Sequence, residues 1–112
     1  MLKKILLLTV TLLCTAVVTA QPMPPQIQLA RDADWAALGG LLADGLNPDV
    51  SYGDGSAALH WAAYHDSAEA VQLLIDAGAD VNVTTDLGVT PLWLAAENRN
   101  AEITRLLLAA GA

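Results

Sequence analysis

Beyond residue 20 the chain contains neither cysteine nor lysine, and it has no phenylalanine anywhere in its 112 residues. Cys14 is the only thiol, so everything after residue 20 can form no disulfide and complete no cysteine-based zinc set. That stretch must hold together by packing, even in an oxidising compartment. Its cations reduce to Arg31, Arg99 and Arg105 against 12 acidic residues, a net charge of −9. Such a field repels phosphate backbones and anionic lipid surfaces, so no nucleic acid and no membrane is expected as a partner, whereas a cationic partner would be steered inward.

Residue sets for chemistry are equally sparse. The two histidines, His60 and His65, are five apart. That spacing separates them by about 140° around a helix, too far to chelate one ion from one face. Ser51, Ser56 and Ser67 lack a nucleophile-elbow pattern, and Gly53-x-Gly55 lacks the third glycine of a phosphate loop. With 12 carboxylates some acidic pair is inevitable and carries no information. No catalytic, cofactor-binding or metal residue is therefore assigned, and an enzyme is not expected.

What is present begins with a hydrophobic excess: 54% apolar residues and a mean hydropathy of +0.44. Much of it is local. Lys3 and Lys4 precede an apolar run from Ile5 to Val18, followed by Val18-Thr19-Ala20 and Gln21-Pro22. A basic start, an apolar stretch and a small-residue exit make a secretory signal over residues 1–20, cut after Ala20. The run falls short of the about 20 apolar residues that span a bilayer. Leu12 and Leu13 stand before Cys14 where a lipoprotein signal carries small residues. The expected destination is periplasmic or secreted, and alanine richness points to a bacterial source.

Shifted by 33 residues, the chain matches itself at 11 of 25 positions between Gly55–Ala79 and Gly88–Ala112. A fainter copy lies one step earlier, with Ala30, Leu41 and Gly45 aligned to Ala63, Leu74 and Gly78. Asp34, Ser67 and Asn100 share that spacing, and all three are helix N-capping types. Gly45, Gly78 and Gly111 follow each cap by 11 residues, where a left-handed glycine ends a helix. Between them run apolar stripes at helical spacing, Leu38-Leu41-Leu42 and Val71-Leu74-Ile75. A shorter helix precedes each one. In the last copy it opens at Thr90-Pro91, a cap followed by proline at the first helical position.

This organisation, with Gly88-Val89-Thr90-Pro91-Leu92-Trp93-Leu94-Ala95-Ala96 and Gly78-Ala79-Asp80-Val81-Asn82 as motifs, resembles the ankyrin repeat. The resemblance implies an all-α repeat solenoid of stacked helix-turn-helix repeats with projecting β-turn or hairpin loops. Residues 21–25 read as a proline-rich leader, 26–50 as a degenerate first repeat, 51–83 as the second and 84–112 as the third. Departures from the pattern are Ala57 in place of a threonine cap, Trp93 in place of the motif histidine, and Asp66 and Arg99 in place of an inter-helix glycine. Gly39-Gly40 interrupts the first long helix. Leu106, Leu107 and Leu108 are expected to form an exposed face, and the natural chain to continue.

By the resemblance His60 is a framework group bonding between repeats, and the tryptophans pack there too. The resemblance also implies a concave surface for a protein partner. Positions carried over are Asp54, Ser56, Tyr64 and His65 in the second repeat, Asp86, Leu87, Val89, Glu97 and Asn98 in the third, and more weakly Arg31 and Asp32 in the first. His65 would add sensitivity to mild acid if the partner were charged. The function so implied is an exported protein–protein interaction module. The alternative is an N-terminal accessory region of a larger exported enzyme or effector.

Overall fold

A computed structural model describes residues 22–112; the expected signal segment, with Cys14, lies outside the described residues. Among the described residues six helices form three antiparallel pairs: α1 (Pro25–Arg31) with α2 (Trp35–Ala43), α3 (Ala58–Tyr64) with α4 (Ala68–Asp76), and α5 (Pro91–Glu97) with α6 (Ala101–Ala109). None of the helices among the described residues is long and apolar enough to cross a membrane.

The capping residues read from the sequence do what their chemistry suggests. Asp34, Ser67 and Asn100 accept from the backbone N–H three residues on, at 3.3, 3.2 and 3.0 Å. The glycine stops are equally consistent. Gly45, Gly78 and Gly111 have φ of 92°, 88° and 103°, and the residue after each donates to the carbonyl five positions back. This is the Schellman arrangement, which satisfies carbonyls that a bare helix end would leave open. The short helices end in the same way through Ala33, Asp66 and Arg99, at φ of 56–58°. A non-glycine residue there carries a steric cost of about 1–2 kcal/mol.

Between pairs the chain projects as a finger. In the second repeat, strands β1 (Ser51–Tyr52) and β2 (Ser56–Ala57) pair antiparallel, Ser51 opposite Ala57, around Gly53-Asp54-Gly55. The equivalent turn Asp86-Leu87-Gly88 is closed by Thr85 N–H on the Val89 carbonyl at 3.0 Å. The two tips touch: Asp86 N–H donates to the Asp54 carbonyl at 2.8 Å. Gly55 is required at this contact. Its φ is +85°, and a Cβ would lie 2.9 Å from Asp86 Oδ1 and 3.1 Å from Asp86 N.

The short helices stack as α1, α3, α5 and the long ones pack behind them, burying one row per repeat. Leu38, Val71, Leu74, Ile103 and Leu107 fill the long-helix side, while Ala30, Ala62, Ala63 and Ala95 let the short helices approach closely. His60 ties the second repeat to the third. It is 3% exposed; its Nδ1 accepts from Ala57 N–H at 3.0 Å, and its Nε2–H donates to the Val89 carbonyl at 2.9 Å. The framework role holds.

Several expectations need correction. Helix α1 begins inside the presumed leader, because Pro25 suits the first turn, where no N–H is needed. Ala57, in place of the threonine cap, makes no side-chain cap bond, and its own N–H is taken by the His60 ring. Leu106–Leu108 is no uniform exposed face. Leu107 is wholly buried, Leu106 is partly buried, and only Leu108 is open, because helical geometry turns successive residues about 100° apart.

Candidate partner-binding groove

The 33-residue register stacks finger and short-helix positions of the second and third repeats side by side. Asp54 meets Leu87, Ser56 meets Val89, and Trp61 meets Leu94 across a cleft of about 350 Å³ that Tyr64, Thr85 and His60 complete. One side is polar and aromatic, the other aliphatic. Leu87, at 91% exposure, stands almost entirely in water at its finger tip, and Tyr64 is 59% exposed on the helix below. An apolar residue held in water on a fixed turn is a feature that burial against a partner would relieve.

Electrostatics at the rim are set by Asp54. Its Oδ1 accepts from Ser56 N–H at 3.1 Å. Hydrogen bonding from the Ser56 side chain and then its backbone holds the carboxyl below its ordinary range, against a small opposing effect of burial. Asp86 sits beside it at the next tip. No arginine lines the cleft. Behind the wall, burial pushes the His60 imidazole below its ordinary value, outweighing the Val89 carbonyl and the Asp54 charge that favour the cation. His60 therefore contributes a neutral ring.

Five of the nine expected contact residues line this cleft: Asp54, Ser56, Tyr64, Leu87 and Val89. Ser56 does so while only 8% exposed, so its contribution is to fix Asp54. Asp86 joins at the rim. Glu97 is exposed, in register with Tyr64, and outside the cleft.

His65 and Asn98, both exposed, lie outside the cleft and bond across the joints between repeats. His65 Nε2–H donates to the Arg31 carbonyl at 3.0 Å. Asn98 Nδ2 donates to the carbonyls of Ala63 and Tyr64 at 3.3 and 3.2 Å. Each reaches back 34 residues to the end of the preceding short helix, so both are joints between repeats. His65 is further held edge-on against Trp35, with ring centroids 6.1 Å apart, and stacked near Trp61 at 6.2 Å. In the first repeat, Arg31 is used through its backbone, and the Asp32 carboxylate accepts from Gln28 at 2.8 Å.

Trp61 packs against the core, as expected, and has a further contact surface. It lines the cleft and meets Tyr64 edge to face at 5.8 Å, and its Nε1–H is covered from solvent without an acceptor. Its spacing from Tyr64 (i, i+3) and from Leu94 (one period) was the available signal. Trp93 is more open, at 54% exposure. Among the described residues no three His, Cys, Asp or Glu side chains converge as a metal site would need.

A family model described as ankyrin repeats (3 copies) matches residues 30–112. The chain belongs to the ankyrin-repeat family. Human ankyrin repeat and SOCS box protein 3 is 49% identical over 86 residues, 74% of this chain and 17% of that protein. Mouse protein phosphatase 1 regulatory subunit 27 is 38% identical over 64 residues, 57% of this chain and 42% of that one. The crystal structure of the human ASB11 ankyrin repeat domain superimposes with a TM-score of 0.74 at 30% identity, covering 80% of this chain and 41% of that one. This chain thus spans less than half of each of these three chains.

Proposed function

We propose that the chain is an exported, non-catalytic interaction module that holds a protein partner in the groove between the fingers of its second and third repeats. The observation that carries the reading is Leu87, displayed at 91% exposure opposite Tyr64 and Trp61. Membership of the ankyrin family supports it, as does the similarity to a protein named as a phosphatase regulatory subunit. Absence of catalysis is supported by the state of the two histidines, since both His60 nitrogens and His65 Nε2 are engaged by backbone groups. Export rests on residues 1–20 alone, and the mammalian relatives lend a bacterial source no support.

Two measurements test this reading. Cross-linked capture from the native compartment should be lost in Tyr64→Ala and Leu87→Ser, with an unchanged melting temperature, and kept in Leu108→Ser, which alters an exposed leucine elsewhere. Equal capture by all three would remove the groove from consideration. The intact mass of the natural product should match cleavage after Ala20; a retained residue 1 would refute export by signal cleavage.

A further inference from the structure

We propose that this groove takes an extended peptide segment in which a bulky aliphatic side chain is flanked by basic ones. The proposal rests on the docking reading above and adds the chemistry of the occupant. The cleft, of about 350 Å³, has Leu87, Val89 and Leu94 along one wall. That is room for one large side chain, and only an apolar one is favoured there by removal of surface from water.

The rim asks for the opposite character. Asp54 and Asp86 occupy adjacent finger tips, joined by the 2.8 Å backbone bond. Asp54 is held ionised by its Ser56 donors, and no arginine lines the cleft to neutralise either carboxylate. The rings of Tyr64 and Trp61 also offer faces on which a guanidinium can rest.

An extended backbone fits better than a helix because of Trp61. Its Nε1–H is covered from solvent without an acceptor, on a side chain that lines the cleft. An extended segment carries free carbonyls along its length, whereas the interior of a helix has spent its own. A second copy of this chain is disfavoured by the net charge of −9 beyond residue 20, which makes copies repel.

The test uses the full chain labelled with ¹⁵N and three synthetic nonapeptides of glycine and serine with Arg-Leu-Arg, Glu-Leu-Glu or Arg-Gly-Arg at the centre. The Arg-Leu-Arg peptide should move the Trp61 indole resonance and leave that of Trp93 in place. Its affinity should fall with added salt, and by about tenfold in Leu87→Ser and in Asp54→Asn, the latter keeping the acceptor for Ser56 N–H. Both other peptides should bind more weakly. Equal binding of the Glu-Leu-Glu peptide at Trp61 would overturn the basic requirement while leaving the groove as the docking face. Shifts confined to Trp93 would overturn both. Failure of all three peptides, or concentration-dependent self-association that perturbs Trp61, would overturn the stated occupant.

Discussion

Both ring nitrogens of His60 are engaged, one by the N–H that opens its own helix and one by a carbonyl of the next repeat. This arrangement fixes the neutral tautomer with hydrogen on Nε2, and protonation of Nδ1 would set two N–H groups against each other. Burial, the largest influence, lowers the His60 pKa from its ordinary 6.5. The unfolded chain therefore takes up a proton near pH 6.5 while the folded chain does not. Stability should fall as pH drops from 6.5 towards the folded value, and this histidine should contribute nothing to pH dependence above 6.5. The slope from a single proton cannot exceed about 1.4 kcal/mol per pH unit. Urea titrations between pH 7.5 and 5 should show that slope in the natural chain and lose it in His60→Leu. That variant should also be weaker by about 2–4 kcal/mol, since it strands two buried backbone groups. An identical slope in both proteins would refute the assignment. Asp54 acts in a separate window: its lowered pKa gives stability present above 3.8 and lost as pH falls below it.

At the scale of the element, much of the fold was legible because helix boundaries are written in local chemistry. Asp34, Ser67 and Asn100 could be recognised as caps, and Gly45, Gly78 and Gly111 as stops, without knowledge of any tertiary contact. The site was only half legible. Leu87 and Tyr64 could be placed on the open surface by the resemblance to ankyrin repeats, but the bonds of His65 and Asn98 depend on which carbonyl faces them across a repeat joint. Trp61 was ambiguous because its type suits both packing and recognition. The two glycines inside α2 invite a direct test. A Cβ at Gly40 meets nothing within 4 Å, and one at Gly39 would make ordinary contact with Leu73 Cδ2 at 3.4 Å. Neither position has a positive φ. Gly40→Ala should therefore raise stability by about 1 kcal/mol, chiefly through the smaller entropy loss of alanine in a helix. A lower urea midpoint for this variant would mean that α2 needs its flexibility for a reason outside its own packing.

Across the whole molecule, the repeats share one apolar core and are joined by hydrogen bonds that include His60 to Val89, Asp86 to Asp54, Asp80 to Asp49, His65 to Arg31, and Asn98 to Ala63 and Tyr64. A stack of this kind behaves as a row of units coupled to nearest neighbours, so an end unit has one set of joints where a middle unit has two. The third repeat shows the consequence in its burial. Ala63 is wholly buried beneath it, while the equivalent Ala96, with nothing stacked on it among the described residues, is exposed. Leu108 and Trp93 lie open beside it. Its end is tied back by a 3.4 Å bond from Asn82 Nδ2 to the Gly111 carbonyl, long enough to contribute little. In a protein of these 112 residues alone, amides of α5 and α6 should therefore exchange with solvent faster than those of α3 and α4. Asn98→Ala removes two bonds to the second repeat, worth about 1 kcal/mol together at a half-wet joint, and should speed exchange in α5 and α6 about fivefold. Exchange in α1 and α2 should stay unchanged, because no bond of theirs is touched. Hydrogen-exchange mass spectrometry of the two proteins distinguishes the cases. Uniform acceleration across all six helices would show that the three repeats open as one cooperative unit, and the nearest-neighbour account would have to be given up.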